Sequence, residues 1–469
     1  MVSIESHSTI IPSKPTPNPK LYSLCEQIKL RTHGPVLNVY NAPNNNNTST
    51  FLETLKNSLS QALVIYYPLA GRLSLTKGGR WELHCNAKGA LFLEAKCETN
   101  LNDFGDFVPN NNLVSQLIPK INYNLPIEEI PLLAVQLTRF RCGGFTLGVS
   151  ACRAVIDGTA NSCFMNLWAK LTRGENLSEN ELAPCHNRTM LNSRKVAHSQ
   201  SLHWHCEFRP APQWVGRELG NSREVSVAIV KLTQEQLLKL KKNANSRVSF
   251  QPTVSKDVII RRKPYSTFEV IAGHIWRCVT KARYIGNNDQ QTRLSTLVDI
   301  RNRLNPPLPS GYAGNATFPT VTPTRSFNDL ICKPLDNAVD DVRKAVERIK
   351  GEFVMSALDY IDREVDMDLL RYNIFGNPAK SVRDGESKRN PNLFVVSWMN
   401  FSLKSADFGC GGPVYFGPGY MDSEGKAFIM NNGYGDGIVV AISLEASCMN
   451  SFRKKFYDDI EEVFSTSKL

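Results

Sequence analysis

The chain has no apolar run long enough to cross a bilayer. Its first twenty residues, MVSIESHSTIIPSKPTPNPK, lack the long apolar core of a secretory leader. None of its 12 cysteines forms a Cys-x-x-Cys pair, and no histidine–cysteine cluster has zinc-ligand spacing, so no metal site is expected. Without a leader, the cysteines are expected to be reduced, mostly buried thiols. There is no short-period repeat, which excludes solenoids and propellers. Positive charge is in excess at +11, but the lysines and arginines are scattered and not interleaved with aromatics. Nucleic acid is therefore not the expected partner, nor is a membrane. Most of the excess reads as solvated surface, with room for a few local cations around a polyanionic small molecule.

What is present is the composition of a globular protein, 42% apolar and 21% charged. At 469 residues the chain is too long for one core. We expect a first domain over 1–195, a crossover linker over 196–222 and a second domain over 223–469. Strand and helix signals alternate in the first half. Val36 to Tyr40 is strand-like, and Phe51 to Tyr66 repeats leucines at helical spacing. Pro131 to Arg141 and Phe145 to Ser150 read as strands joined by Cys142-Gly143-Gly144. Past Asp157-Gly158 an amphipathic helix runs to Leu171, capped by Thr159 or Asp157. From Glu181 to about Gly220 the pattern degrades into an expected irregular linker. The second half predicts helices over Thr233 to Lys242 and Ser266 to Lys281, a long helix over Asp336 to Asp362, and strands near Leu393 to Phe401 and Gly437 to Leu444. The sequence ends in Ser467-Lys468-Leu469, a receptor-read peroxisomal address.

Several stretches, in order, carry a family pattern: Tyr67 to Leu73 (YPLAGRL), Asp157-Gly158, and Asp299-Ile300-Arg301-Asn302-Arg303 followed by Pro306 to Pro309, Tyr312, Gly314 and Asn315. Ser397-Trp398 and Asp407-Phe408-Gly409-Cys410-Gly411 complete it. The chain resembles the plant BAHD acyltransferases over essentially its whole length. Its wording around THGP and PYSTFEVIAGHIWRC is most similar to the spermidine hydroxycinnamoyltransferase-like branch. The resemblance implies an α/β fold of two chloramphenicol-acetyltransferase-like domains, each a mixed β-sheet flanked by helices, with a channel between them. It implies acyl-CoA as co-substrate, entering from one face, and an alcohol or amine from the other. No tightly bound cofactor is implied, and a monomer is expected. A histidine in the family's HxxxD turn acts as general base. Asp157 is implied to pair with Arg301, and Asp407, Gly409 and Gly411 to be structural. Tyr312, Ser397 and Trp398 are the candidate substrate-binding residues.

The HxxxD histidine aligns with Arg153 in SACRAVIDGTA. Imidazole titrates near neutrality and takes a proton from a hydroxyl. A guanidinium stays protonated and has no acceptor, so Arg153 cannot be that base. It can hold a carboxylate or an oxyanion, or it turns into a structural ion pair. Two side chains are candidates to compensate. His33, in THGP, is the best spare imidazole, with a packing role as the alternative. Cys152, next to Arg153, is a thiolate candidate or a small buried hydrophobe. His274 reads as structural, and His203 and His205 as solvated linker. Lys256, Arg262, Lys263 and Ser266 are candidates for the CoA phosphates, with Ser266 opening a helix. Cys410 and Asn187 stand where the family tends to have tryptophan and aspartate.

Three functions follow from this reading. The first is transfer of a benzoyl- or cinnamoyl-type acyl group to an amine or alcohol without the usual base. The second is non-acyl-transfer chemistry (cyclisation, elimination or lyase) on an anionic substrate held by Arg153. The third is a non-catalytic binding or partner protein.

Overall fold

The protein is seen as a computed structural model that describes residues 1–42, 48–109, 113–194, 205–215, 224–246, 263–364, 366–375, 389–401, 406–432 and 437–465. Of the sequence candidates, Lys256, Arg262, His203, Ser467, Lys468 and Leu469 lie outside the described residues.

Among the described residues two six-stranded sheets carry the fold. Their strands, in chain order, are β1 (Val2–Ile10), β2 (His33–Tyr40), β3 (Ala90–Cys97), β4 (Leu133–Phe140), β5 (Phe145–Cys152), β6 (Val225–Leu232), β7 (Leu294–Asp299), β8 (Thr317–Val321), β9 (Leu393–Ser397), β10 (Tyr415–Pro418), β11 (Lys426–Asn431) and β12 (Ile438–Glu445). The helices that matter here are α1 (Thr48–Ile65), α2 (Gly158–Thr172), α3 (Thr267–Arg283), α4 (Leu335–Arg348), α5 (Gly351–Arg363) and α6 (Ala446–Ser465).

The first sheet is ordered β1-β3-β4-β5-β2-β10 and the second β8-β7-β9-β11-β12-β6. Both are mixed: β3 and β4 run parallel, as do β7, β9 and β11, among antiparallel neighbours. One face of each sheet is covered by helices. Leu55, Leu59 and Leu63 of α1 and Phe164 and Trp168 of α2 pack on Phe92, Val135 and Leu147. In the second sheet Val395, Ala427, Ile429, Val440 and Ile442 pack against Ile271 and Ile275 of α3, Val339 and Val342 of α4, and Phe452 and Phe456 of α6. These strands alternate, so the opposite face of the second sheet presents Phe428, Met430, Val439 and Ala441. Each domain is thus a sheet with helices, the α/β class expected.

Three features depart from the sequence reading. β10 comes from the second half of the chain but pairs with β2 of the first sheet, from Val39↔Tyr415 to Val36↔Pro418. The chain division at 195 and 223 is therefore crossed by a strand, because Tyr415 finds its apolar partners, Phe107 among them, on the first domain. The expected long helix is two, α4 and α5, broken at Ile349-Lys350. There the Arg303 guanidinium donates to the carbonyls of Val346 (2.9 Å) and Ile349 (3.0 Å), supporting the C-cap in which Ile349 N also bonds Val346 O. The third is the segment expected as open linker, which supplies buried groups. His205 is buried, its ring 4.7 Å from that of Phe353 and its Nε2 3.2 Å from Ser356 Oγ.

Candidate active site

β5 is buried along its whole length, and Arg153 is the first exposed side chain after it. The chain turns over 153–156 and enters α2, whose N-cap is Asp157. The turn is held from both domains. Arg153 N donates to Thr32 O (3.0 Å), and Asn315 Nδ2, from the second domain, donates to Arg153 O (2.7 Å). Asp157 is the hub. Its carboxylate accepts from Ala160 N (2.9 Å), Ala316 N (2.8 Å) and both terminal nitrogens of Arg301 (2.9 and 3.0 Å). Arg301 also reaches Asp299 Oδ2 (3.0 Å) and the carbonyls of Gly314 (2.9 Å) and Tyr312 (3.2 Å). A carboxylate so fully satisfied is a fastener between the domains.

Gly158 is a glycine for a steric reason. A Cβ there would lie 2.2 Å from the Phe401 ring, which closes over the start of α2 from the second domain. Phe401 and Trp398 stand 5.9 Å apart, and Trp398 also meets Phe416 of β10 (5.3 Å) and Phe428 of β11 (4.8 Å). This aromatic cluster lines the interdomain face of the second sheet. Trp398 is the centre of this cluster, while Ser397 Oγ accepts from Met399 N (3.4 Å).

The guanidinium of Arg153 has no hydrogen-bond or ion-pair partner among the described residues. It lies over the backbone of Gly34, with Nε 3.6 Å from where a Cβ would be. The structural ion pair considered for it is thus not made within the described residues.

Both compensating candidates take the structural alternative that the sequence also offered for them. Cys152 is buried, its thiol donating to Arg31 O at 3.5 Å. Burial pushes it up to about 12, against the weaker pull of Arg153, so it is a thiol at physiological pH and not a nucleophile. His33 is buried with both ring nitrogens engaged. Nε2 donates to Pro131 O (2.8 Å), which leaves Nδ1 to accept from the Tyr123 hydroxyl (2.9 Å). The same hydroxyl accepts from His33 N (2.8 Å). Burial pushes the imidazole down to about 4 despite its bond to Pro131. Its lone pair is spoken for by Tyr123, so His33 is a positioned neutral imidazole and not a spare base.

Tyr312 is also not a substrate contact. It is buried, its ring lying between the Arg188 and Arg301 guanidinium groups at 5.7 and 5.8 Å. Asp407, Gly409 and Gly411 form a loop anchored on the first domain. Asp407 Oδ1 accepts from Gly409 N (2.8 Å) and Cys410 N (3.0 Å), Tyr40 Oη donates to Ala406 O (2.9 Å), and Phe408 packs on Trp168. Cys410 is half-buried against the same core, and burial pushes its thiol up to about 12.

The expected CoA-phosphate site is only partly within the described residues. Ser266 caps α3, but in a capping box: Glu269 N donates to its Oγ (3.3 Å), and Ser266 N donates to the Glu269 carboxylate (2.7 Å). The helix N-terminus already holds an anion, itself paired with Arg343 at 2.9 Å, so it does not offer a free phosphate site. Lys263 is exposed, and its carbonyl accepts from Arg343. His274 is buried, bonded to Phe456 O at 2.9 Å and pushed down by burial to about 4. Asn187 caps the short turn 188–191 through Thr189 N (3.0 Å). Among the described residues no histidine, cysteine, aspartate and glutamate side chains cluster as a metal site would need.

Sequence reasoning missed Lys426, the first residue of β11. By strand alternation it shares the interdomain face with Phe428, and it pairs with Phe394 and Ser443 on that face. No carboxylate pairs with it among the described residues. Burial, with a further push from the Arg153 charge and against the pull of Asp422, lowers its ammonium to about 8. The alternation Lys426-Ala427-Phe428 marks a strand, but nothing in the sequence says that Lys426 would face Arg153.

Two domains of this topology, joined by an Asp–Arg fastener beneath an interdomain aromatic face, define a chloramphenicol-acetyltransferase-like acyltransferase scaffold. The model of the Transferase family matches residues 1–459. The chain is 38% identical to hydroxycinnamoyl-CoA:piscidic acid hydroxycinnamoyltransferase of Actaea racemosa, over 98% of this chain and all of that one. It is 35% identical to anthranilate N-benzoyltransferase protein 2 of Dianthus caryophyllus, over 97% of this chain and 99% of that one. The fold is similar to that of vinorine synthase, with a TM-score of 0.66 and 22% identity over 96% of each chain. The chain belongs to the Transferase family, among the plant BAHD acyltransferases, which use acyl-CoA as co-substrate.

Proposed function

We propose that the protein transfers an aromatic acyl group, of benzoyl or hydroxycinnamoyl type, from its CoA thioester to an amine that also carries a carboxylate. The observation that carries this is Arg153: an exposed guanidinium, unpaired among the described residues, at the head of the turn where the family keeps its base. A hydroxyl acceptor must lose its proton as it attacks, and Arg153 cannot take it. A neutral amine attacks with its own lone pair. The C–N bond forms, the C–S bond breaks, and the ammonium proton leaves to water or to the departing CoA thiolate. Arg153 then serves as an anion holder. Two relatives support an acid-bearing acceptor: one is named for piscidic acid, which carries carboxylates but no amine, and the other for anthranilate, which carries both an amine and a carboxylate.

The test is CoA release by the purified protein with benzoyl-CoA and coumaroyl-CoA, offered anthranilate, aniline or benzyl alcohol. Turnover with anthranilate above the other two is expected. Preference for benzyl alcohol sinks the proposal. The unpaired Arg153 equally favours chemistry on a single anionic substrate, and conversion of such a substrate without any acyl-CoA is the result that selects this second reading. Ser467-Lys468-Leu469 supports a peroxisomal setting, tested by the fusion described in the Discussion.

A further inference from the structure

Arg153 and Lys426 come from different domains, yet the backbone brings them to one place. Arg153 lies over Gly34 at the start of β2. Next to it, Pro35 O accepts from Gly419 N (3.0 Å), and Val36 pairs with Pro418 at the end of β10. From Gly419 the chain makes a short loop and enters β11 at Lys426. The strand beneath the guanidinium is thus pinned to the loop that delivers the ammonium. Lys426 lies on the interdomain face by strand alternation, Arg153 is exposed beside Gly34, and neither has an ion-pair partner among the described residues. Arg153 and Lys426 repel each other and only Asp422 attracts Lys426, without an ion pair, so a bound anion would relieve the repulsion.

We infer that Arg153 and Lys426 form one carboxylate-binding site across the domain interface, and that the acidic group of the acceptor is its ligand. The inference rests on the acid-bearing acceptor proposed above and makes Lys426 a specificity-determining residue. The acceptor's ring would lie toward Trp398 and Phe428, and its carboxylate toward the two cations. A monocarboxylate on an aromatic ring is the minimal ligand, and an ortho-dicarboxylate engages both cations at once.

The groups around Lys426 set its pH behaviour. Arg153 acts on it from the turn after β5 and Asp422 from the 419–425 loop, where Tyr420 feels the same two charges. Phe394 of β9 and Ser443 of β12, its strand partners, do not titrate in the working range. Arg153 and burial lower the ammonium to about 8, and Asp422 opposes them. The site therefore carries two charges below that pH and one above it, so carboxylate affinity falls as pH rises through 8.

The experiment is isothermal titration of the full chain, without acyl-CoA, using benzoate, phthalate and the neutral benzamide. Benzoate is expected to bind at pH 7, phthalate more tightly, and benzamide about tenfold or more weakly, the scale of one charge-assisted hydrogen bond. Lys426→Met and Arg153→Gln each lose about tenfold for benzoate by the same reasoning. Lys426→Arg retains affinity and loses the pH dependence. The wild-type chain loses affinity between pH 7 and 9.5 until it matches Lys426→Met. Unchanged affinity in Lys426→Met, or equal binding of benzamide and benzoate, overturns the inference. Acyl transfer is read separately. Intact pH-dependent benzoate binding with no turnover of any acyl-CoA overturns the acyl-transfer reading and leaves the site standing. Turnover of aniline and anthranilate alike, unaffected by Lys426→Met, overturns the site and leaves acyl transfer standing.

Discussion

Asp157→Asn keeps the shape of the domain fastener and removes its charge. The carboxylate now satisfies four donors: Ala160 N, Ala316 N and two nitrogens of Arg301, all within 2.8–3.0 Å. An asparagine has one oxygen for them, and its NH2 group faces the donors of the other. If the oxygen stays on Ala160, the N-cap of α2 is kept, since asparagine caps as well as aspartate. What is lost is the bidentate pair and the Ala316 bond. Breaking a buried pair from one side costs about 3–5 kcal/mol. Arg301 retains Asp299 and two carbonyls, and its side chain is 14% exposed, so the lower end, about 3 kcal/mol, is expected. Arg301→Gln strands a carboxylate that is 2% exposed and should cost at least as much. The double variant should lose less than the sum, with a coupling of about 2 kcal/mol. Urea unfolding of the four proteins, followed by tryptophan fluorescence and analysed as a cycle, reads all of these. A loss below about 1 kcal/mol for Asp157→Asn, or strict additivity, refutes the fastener.

Four further outcomes follow from the packing. Tyr312→Phe removes a buried hydroxyl that has no hydrogen-bond partner among the described residues, so stability and kcat/KM should both hold; a large rise in KM would restore Tyr312 as a substrate contact. Gly158→Ala should cost about 1–3 kcal/mol, because its methyl group overlaps the Phe401 ring, and Phe401→Leu should relieve it. His33, His186 and His274 are held neutral by burial, each lowered to about 4, so the unfolded chain binds more protons than the folded one below about pH 6.5. Stability should be full above that pH and fall as pH drops toward 4; a flat urea midpoint over that window contradicts it. A fluorescent fusion leaving Ser467-Lys468-Leu469 at a free carboxyl end should enter peroxisomes, and loss of Leu469 should leave it outside.

The elements with strong periodicity were legible. Leucines at helical spacing marked α1, and the run after Asp157-Gly158 marked α2 to within a residue or two. That Arg153 has no lone pair with which to act as a base was also legible, because guanidinium chemistry does not depend on context. The fates of His33 and Cys152 were not. A histidine becomes a base or a satisfied core group according to what meets its nitrogens, and Tyr123 and Pro131 lie 90 and 98 residues away. The N-terminus of α3 looked like a phosphate site until Glu269 was found on it; the capping box was there to be read in Ser266 and Glu269. β10 was hidden because four residues carry too little pattern to show which sheet they join.

The sequence by itself determined the two-domain α/β scaffold and that residue 153 carries a guanidinium with no acceptor, since both follow from local periodicity and side-chain chemistry. Tertiary structure alone decided which charges stand unpaired. Pairing depends on distance, and the crossing of β10 into the first sheet pins the chain leading to Lys426 against the strand beside Arg153.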